Sequence, residues 1–206
     1  MNQIQLKPLF VDLFGTTDMS GVVDCDIIKS ACLQYKERYP TSVNKSNLGG
    51  WQSPHLGQEI LKKEGPELAY IIDMCTQYVQ AVTRDNKTST VTPVEAWINI
   101  NGPGHSNAKH THPGCQISTI FYPYVPPTRD AGGLVLYRGR EYTDYFMTQF
   151  WRPQPDKLTP ANVPYIEIVP TTGMFLLFPS YIEHQVLPNN TKQDRISIAI
   201  NYAMKI

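Results

Sequence analysis

His110, His112 and His184 are three of the five histidines in the chain, and their spacing is the part of the sequence best suited to chemistry. Side chains two residues apart on a β-strand point to the same face. His110 and His112 can therefore aim two imidazoles at one point while His184 arrives from another strand. Imidazole nitrogen suits iron, zinc, nickel and copper. Three ligands on one side of an ion leave the other positions open, as in a catalytic rather than a structural site. Arg195 follows His184, with Ser197 two residues further on. A guanidinium stays charged and forms paired hydrogen bonds with a carboxylate. The pattern thus predicts an anionic co-substrate beside the metal, with the Ser197 hydroxyl as a further donor.

Each residue also has a plainer reading when taken singly. His110 and His112 lie within Gly102 to Gly114, where surface loop histidines are common. His184 could be a satisfied core histidine, and Arg195 a strand-end arginine paired with Glu183 or Asp194. The short separation of His184 from Arg195 favours a shared site.

The elements that must position these side chains follow from periodicity. Val23, Ile27, Ile28, Ala31 and Tyr35 recur at helical spacing, which predicts a helix over residues 23–37 ended by Pro40. Pro66 suits a first helical position, and Leu68, Ile71, Ile72, Cys75, Tyr78, Val79 and Val82 form an apolar stripe over 66–83. Residues 3–12 read as an opening strand and 41–54 as a loop. Beyond Asn86 come short apolar or alternating runs at 94–100, 116–124, 134–137, 165–169, 174–178, 184–187 and 195–202, separated by Gly, Pro and Asn. Such spacing predicts a β-sandwich, jelly roll or barrel, with two N-terminal helices packed on it. In the last run Ile196, Ile198, Ile200 and Tyr202 share one face. Arg195, Ser197, Ala199 and Asn201 share the other, as expected of a strand that lines a site.

Composition narrows the class. With 206 residues the chain is read as one domain over 1–206, with residues 1–90 as N-terminal strand and supporting helices and 91–206 as the β core. Eighteen basic and eighteen acidic side chains cancel, and no basic run could track a phosphate backbone, so no nucleic-acid partner is expected. No apolar run is long enough to span a bilayer, and the first residues lack a signal-peptide core. A cytoplasmic protein with no membrane partner is the expectation, and Cys25, Cys32, Cys75 and Cys115 are expected to be reduced.

On several stretches the chain resembles the Fe(II)- and 2-oxoglutarate-dependent oxygenases, in particular a prolyl-hydroxylase-like group of bacteria and bacteriophages. The stretches are Gly49 to Ser53, Ala96 to Asn101, His110 to Gly114 with Ile117 to Tyr122, Gly132 to Leu136, and Gly173 to Asn201, the block from Leu177 to Ser197 being the most specific. The resemblance implies a mainly β protein with N-terminal helices: a double-stranded β-helix (a cupin-like jelly roll) with two helices on its major sheet. It implies Fe(II) as cofactor and 2-oxoglutarate as co-substrate, which is decarboxylated to succinate while a substrate C–H bond is hydroxylated. It further implies that His110 and His184 hold the metal and that Arg195 and Ser197 grip the far carboxylate of 2-oxoglutarate. Tyr122 and Asn99 are expected to line the same pocket, and Asn201 and Gln116 to stand behind the ligands.

One departure matters. The family's usual motif is His-x-Asp/Glu, but His112 stands at the acidic position. Either three imidazoles hold the iron, or His112 lies outside the ligand set. The three-histidine site is the reading adopted. Three other readings compete with the oxygenase. A cupin-type metal enzyme fits Gly104, the His pair, Gln116, Gly173, Pro179 and His184, but has no need of Arg195 and Ser197. A non-catalytic binding barrel fits the missing carboxylate. A zinc hydrolase could use His110, His112 and Cys115, with Asp130 or Glu183 as base. The substrate is not legible from the residues; by analogy a protein side chain is the first expectation, with a small molecule as the alternative. An aromatic insert at 138–164, with Tyr142, Tyr145, Phe146, Phe150 and Trp151, is a candidate lid or wall. Homodimerisation is compatible with the sequence, but nothing in it argues for a dimer.

Overall fold

Two apolar cores, one on each face of a six-stranded sheet, fix where the candidate residues sit. The structure, a computed structural model, describes residues 12–57, 61, 65–83, 90–139 and 163–205. The expected opening strand falls almost wholly outside the described residues, as do 140–162 of the aromatic insert.

In chain order the elements are β1 (Gly15–Asp18), α1 (Cys25–Arg38), β2 (Asn47–Leu48), β3 (Trp51–Gln52), α2 (Pro66–Thr83), β4 (Thr90–Asn101), β5 (Ser106–His110), β6 (Ile117–Tyr124), β7 (Leu134–Tyr137), β8 (Tyr165–Ile168), β9 (Met174–Pro179), β10 (His184–Val186) and β11 (Arg195–Lys205). A 3₁₀ turn, Arg129–Ala131, precedes β7. The six-stranded sheet runs β1-β9-β6-β11-β4-β3 and the five-stranded sheet β2-β5-β10-β7-β8. Every recorded pairing is antiparallel.

The helices form where the sequence predicts them. The side chain of Asp24 accepts from the N–H groups of Asp26 and Ile27, capping α1, and Lys36 and Arg38 lie in its last turn, where cations suit the helix dipole. α2 begins on Pro66, which has no N–H to leave unpaired. Ile28, Cys32 and Tyr35 of α1 and Leu68, Ile71, Cys75 and Val79 of α2 pack with Ile196, Ile198, Ile200 and Tyr202 of β11 and with Ala96, Ile98 and Ile100 of β4. The second core lies between the sheets, where Ile120 and Tyr122 of β6 and Leu176 and Phe178 of β9 meet Leu134 and Leu136 of β7. All four cysteines are free thiols.

β11 therefore has the two faces its sequence predicts. It pairs along its length with β4, setting Arg195 opposite Asn101, Ser197 opposite Asn99 and Ala199 opposite Trp97. On its other edge it pairs with β6, with a shift of register between Ile196 and Ile198. Such a bulge re-aims the strand that carries it.

Three expectations need correction. The stretch 41–54 is not all loop, because β2 and β3 form within it and extend one sheet each. The sequence before His110 is also strand, β5, despite its Gly, Ser and Asn content. His112, finally, lies past the end of β5, so strand alternation does not place it beside His110. Its N–H instead donates to the Ser180 carbonyl at 3.1 Å, and this contact brings its ring back to the site.

Candidate functional site

His110 and His184 are direct cross-strand partners on β5 and β10. Their ring centroids are 4.3 Å apart, and those of His112 lie 4.9 Å from His110 and 5.0 Å from His184. One nitrogen from each ring lies within 4.8 Å of the other two. The three therefore converge, as the sequence predicts. No carboxylate or thiol among the described residues joins this cluster.

Backbone carbonyls decide which nitrogen is free. Nδ1 of His110 lies 2.7 Å from the Ala108 carbonyl, and Nδ1 of His184 lies 2.9 Å from the Ile182 carbonyl. A carbonyl only accepts, so each Nδ1 carries the proton and donates. Each Nε2 is left with a lone pair for a metal. The rings also resist protonation. Burial pushes His184 down to about 3, helped by the neighbouring His110. Burial likewise pushes His112 down to about 4, with His110 and Lys45 adding to the effect. His110 is lowered for the same first reason. Neutral imidazoles with free Nε2 lone pairs are what a divalent ion needs, so the residues present fit a metal.

The same cavity is lined by Arg195, Ser197, Tyr122, Asn99 and Asn201. Arg195 is 2 % exposed, the largest fully buried side chain among the described residues. Its Nη1 donates to the carbonyls of Ala131 (3.1 Å) and Gly132 (2.6 Å), while Nε is buried with no partner. Among the described residues no carboxylate pairs with it. Glu183 is taken by Lys109 at 2.7 Å. A buried cation without a counter-ion costs several kcal/mol, and burial acts to lower its pKa. An arginine nonetheless keeps its proton, so the cavity suits an anionic group. Burial also raises the Tyr122 hydroxyl to about 12, with Arg195 opposing, so the hydroxyl is a neutral hydrogen-bonding group. Asn99 adds a buried side-chain oxygen with no donor.

Sequence reasoning missed the cradle that aims Arg195. Gly132 has φ +86°, and a Cβ there would meet the Leu187 carbonyl and lie 2.6 Å from Arg195 Nη1. Gly132 therefore does more than permit a turn, since only its missing side chain leaves room for the guanidinium. The Gly132-Gly133 pair before a strand was the available signal.

Asn201 stands close to the site as expected. Its Oδ1 accepts from Ser118 Oγ at 2.8 Å, and Ser118 Oγ lies 2.8 Å from Ser180 Oγ. This chain reaches the residue whose carbonyl holds the His112 backbone. Gln116 does not stand behind the ligands. Its side chain accepts from the Met204 N–H at 2.9 Å on an exposed edge, and it does not line the cavity. The cupin reading thereby loses its fourth ligand, and the zinc hydrolase reading loses its thiol, since Cys115 lies outside the histidine cluster. Neither Asp130 nor Glu183 lines the cavity.

Comparison with known proteins bears on the fold and the family. Solved structures similar to the chain include a prolyl hydroxylase from Trichoplax adhaerens in complex with a hypoxia inducible factor peptide fragment (TM-score 0.66, 15% identity, covering 92% of this chain and 82% of that one). HygX from Streptomyces hygroscopicus, with nickel and 2-oxoglutarate bound, gives TM-score 0.59 at 14% identity, covering 93% and 83%. A viral collagen prolyl hydroxylase from Paramecium Bursaria Chlorella virus-1 gives 0.56 at 13% identity, covering 94% and 96%. These likenesses establish the fold as the double-stranded β-helix. A search of curated protein sequences finds no match. Residues 95–201 match the family described as "Putative 2OG-Fe(II) oxygenase", and the chain belongs to that family.

Proposed function

We propose that His110, His112 and His184 hold Fe(II) through their Nε2 atoms, and that Arg195 and Ser197 bind the far carboxylate of 2-oxoglutarate. Tyr122 and Asn99 complete the co-substrate's surroundings. The observation that carries this reading is Arg195, a fully buried guanidinium with an unpartnered Nε and no ion-pair partner among the described residues, lining one cavity with three neutral imidazoles. A dianionic ligand supplies what that cation lacks.

The overall reaction is R–H + O2 + 2-oxoglutarate → R–OH + succinate + CO2, where R–H is a small molecule or a peptide side chain. Bound iron supplies the redox chemistry that splits dioxygen. The protein's own residues bind, orient and screen. Ala131 and Gly132 hold one edge of the guanidinium, which leaves Nε and Nη2 for the carboxylate. Ala108 and Ile182 fix the tautomers of His110 and His184. Phe178, edge-on to His184 at 4.8 Å, and Trp97, 5.5 Å from His112, shield the rings from water. The cavity is closed down to about 30 Å³, so a five-carbon diacid enters only as the lining side chains shift.

The test is direct. Protein purified without oxygen is given Fe(II) and 2-oxoglutarate, and charge-transfer absorption and succinate release are followed. Saturable absorption and slow substrate-free succinate release are expected. Absence of both in metal-loaded protein would overturn the proposal.

A further inference from the structure

A second chamber, of about 460 Å³, opens on His110 and His112 from the side that Arg195 does not line. Its walls include Lys45, Gln52, Glu95 and Trp97. The oxygenase reading requires a third molecule, the substrate, and this volume is of small-molecule size. Gln52 is the telling residue. It is 4 % exposed, and its side-chain oxygen is buried without a donor. Its backbone is already satisfied: its N–H donates to Ser42 Oγ, and its carbonyl accepts from Val43. A buried amide oxygen left without a partner is costly, and the terminal torsion of glutamine is shallow. Gln52 lies in the chamber wall with its oxygen shut from solvent, so a small turn of that torsion would offer the oxygen to a donor entering the chamber.

Charge completes the picture. Lys45 Nζ and Glu95 Oε1 lie 3.7 Å apart on the same wall, with side chains 62% and 46% exposed. Such a pair contributes little to stability, so separating it to admit a ligand is cheap. Lys109, the other cation of the chamber, is engaged by Glu183 and lies over the Tyr137 ring. Lys45 and Glu95 therefore present one positive and one negative group, a short distance apart, beside an amide acceptor and an indole wall. A free α-amino acid carries its ammonium and carboxylate on one carbon and so meets both from a single small molecule. A residue inside a peptide has neither an α-ammonium nor an α-carboxylate.

We infer that this chamber is the primary-substrate subsite and takes a small zwitterion of the amino-acid class. Its ammonium meets Glu95 and the Gln52 oxygen, its carboxylate meets Lys45, and its side chain lies along Trp97 toward the imidazoles. The inference rests on the oxygenase reading for the chemistry but not for the binding.

The proteinogenic L-amino acids are tested singly, in free form and as N-acetyl amides. Titration calorimetry follows binding to protein loaded with Zn(II) and 2-oxoglutarate, and succinate release follows turnover with Fe(II). At least one free amino acid is expected to bind and to raise succinate release tenfold or more, with its blocked form at least tenfold weaker. Gln52→Leu and Lys45→Met are each expected to weaken its binding tenfold or more with metal content retained. If no free amino acid binds, or if blocked forms bind as well, the zwitterion assignment is wrong. If 2-oxoglutarate itself fails to bind, the oxygenase reading falls, and calorimetry on the protein as purified still decides the chamber.

Discussion

His110 and His184 face each other across the β5–β10 ladder, and each ties its Nδ1 to the carbonyl two residues before it. The ladder sets the separation of the two rings, and the carbonyls set their tautomers. The fold itself therefore sets the pair, and His112 joins it through the hydrogen bond from its N–H to the Ser180 carbonyl.

His184→Ala and His110→Ala are expected to lower iron affinity by at least about a hundredfold, since each removes a nitrogen the backbone has prepared. Metal analysis after dialysis measures this. His112→Asp restores the family's usual acidic position and is expected to hold iron as tightly or more tightly. Unchanged metal absorption in that variant would place residue 112 outside the ligand set.

Arg195→Ala is expected to weaken 2-oxoglutarate binding by about 2–5 kcal/mol, the loss on truncating one partner of a buried charge pair. Metal content should not change. Arg195→Lys should fail similarly, because an ammonium cannot donate to Ala131, Gly132 and a carboxylate in one plane. Titration of 2-oxoglutarate into Fe(II)-loaded protein without oxygen checks both, and wild-type affinity in either removes the carboxylate assignment.

Gly132→Ala should cost about 1–3 kcal/mol of stability, given its positive φ. It should also weaken 2-oxoglutarate binding, because the new methyl meets the Arg195 guanidinium. Gly139→Ala, where a Cβ meets nothing within 4 Å, is the control. Urea midpoints and co-substrate titration together distinguish loss of the cradle from general destabilisation.

The metal-free protein should lose stability on acidification. An unfolded histidine takes its proton near pH ~6.5, whereas folded His112 and His184 hold off until about 4 and about 3. Between these values the unfolded chain binds more protons. This contribution is therefore complete above the unfolded pKa and drains as pH falls toward the folded ones. Urea midpoints compared at about pH 7.5 and about pH 5 should fall further in wild type than in His184→Gln. An equal fall in both proteins would mean that the ring is not held neutral by the fold.

The elements best read from sequence were those whose burial is one-sided. α2 has an unbroken apolar stripe, and β11 alternates isoleucine with polar residues, so period alone fixed their type and facing. The strands missed, β1, β2, β3 and the polar β5, are short or rich in Asn and Ser. Their pairing comes from neighbours distant in sequence, which local propensity does not report.

For the site, residue chemistry and spacing singled out the three imidazoles, the arginine and its serine as candidates, because only a few side chains can hold a metal or a carboxylate. Tertiary structure alone decided that His112 reaches the cluster through Ser180 rather than through strand alternation, and that Gln116 turns away to Met204. It also decided that Ala131 and Gly132 brace Arg195, and that Gln52 lines the second chamber with its side-chain oxygen unpartnered. Those facts depend on which backbone carbonyls and bulges lie beside a side chain after the sheets close. No residue's identity encodes that until distant strands are in register.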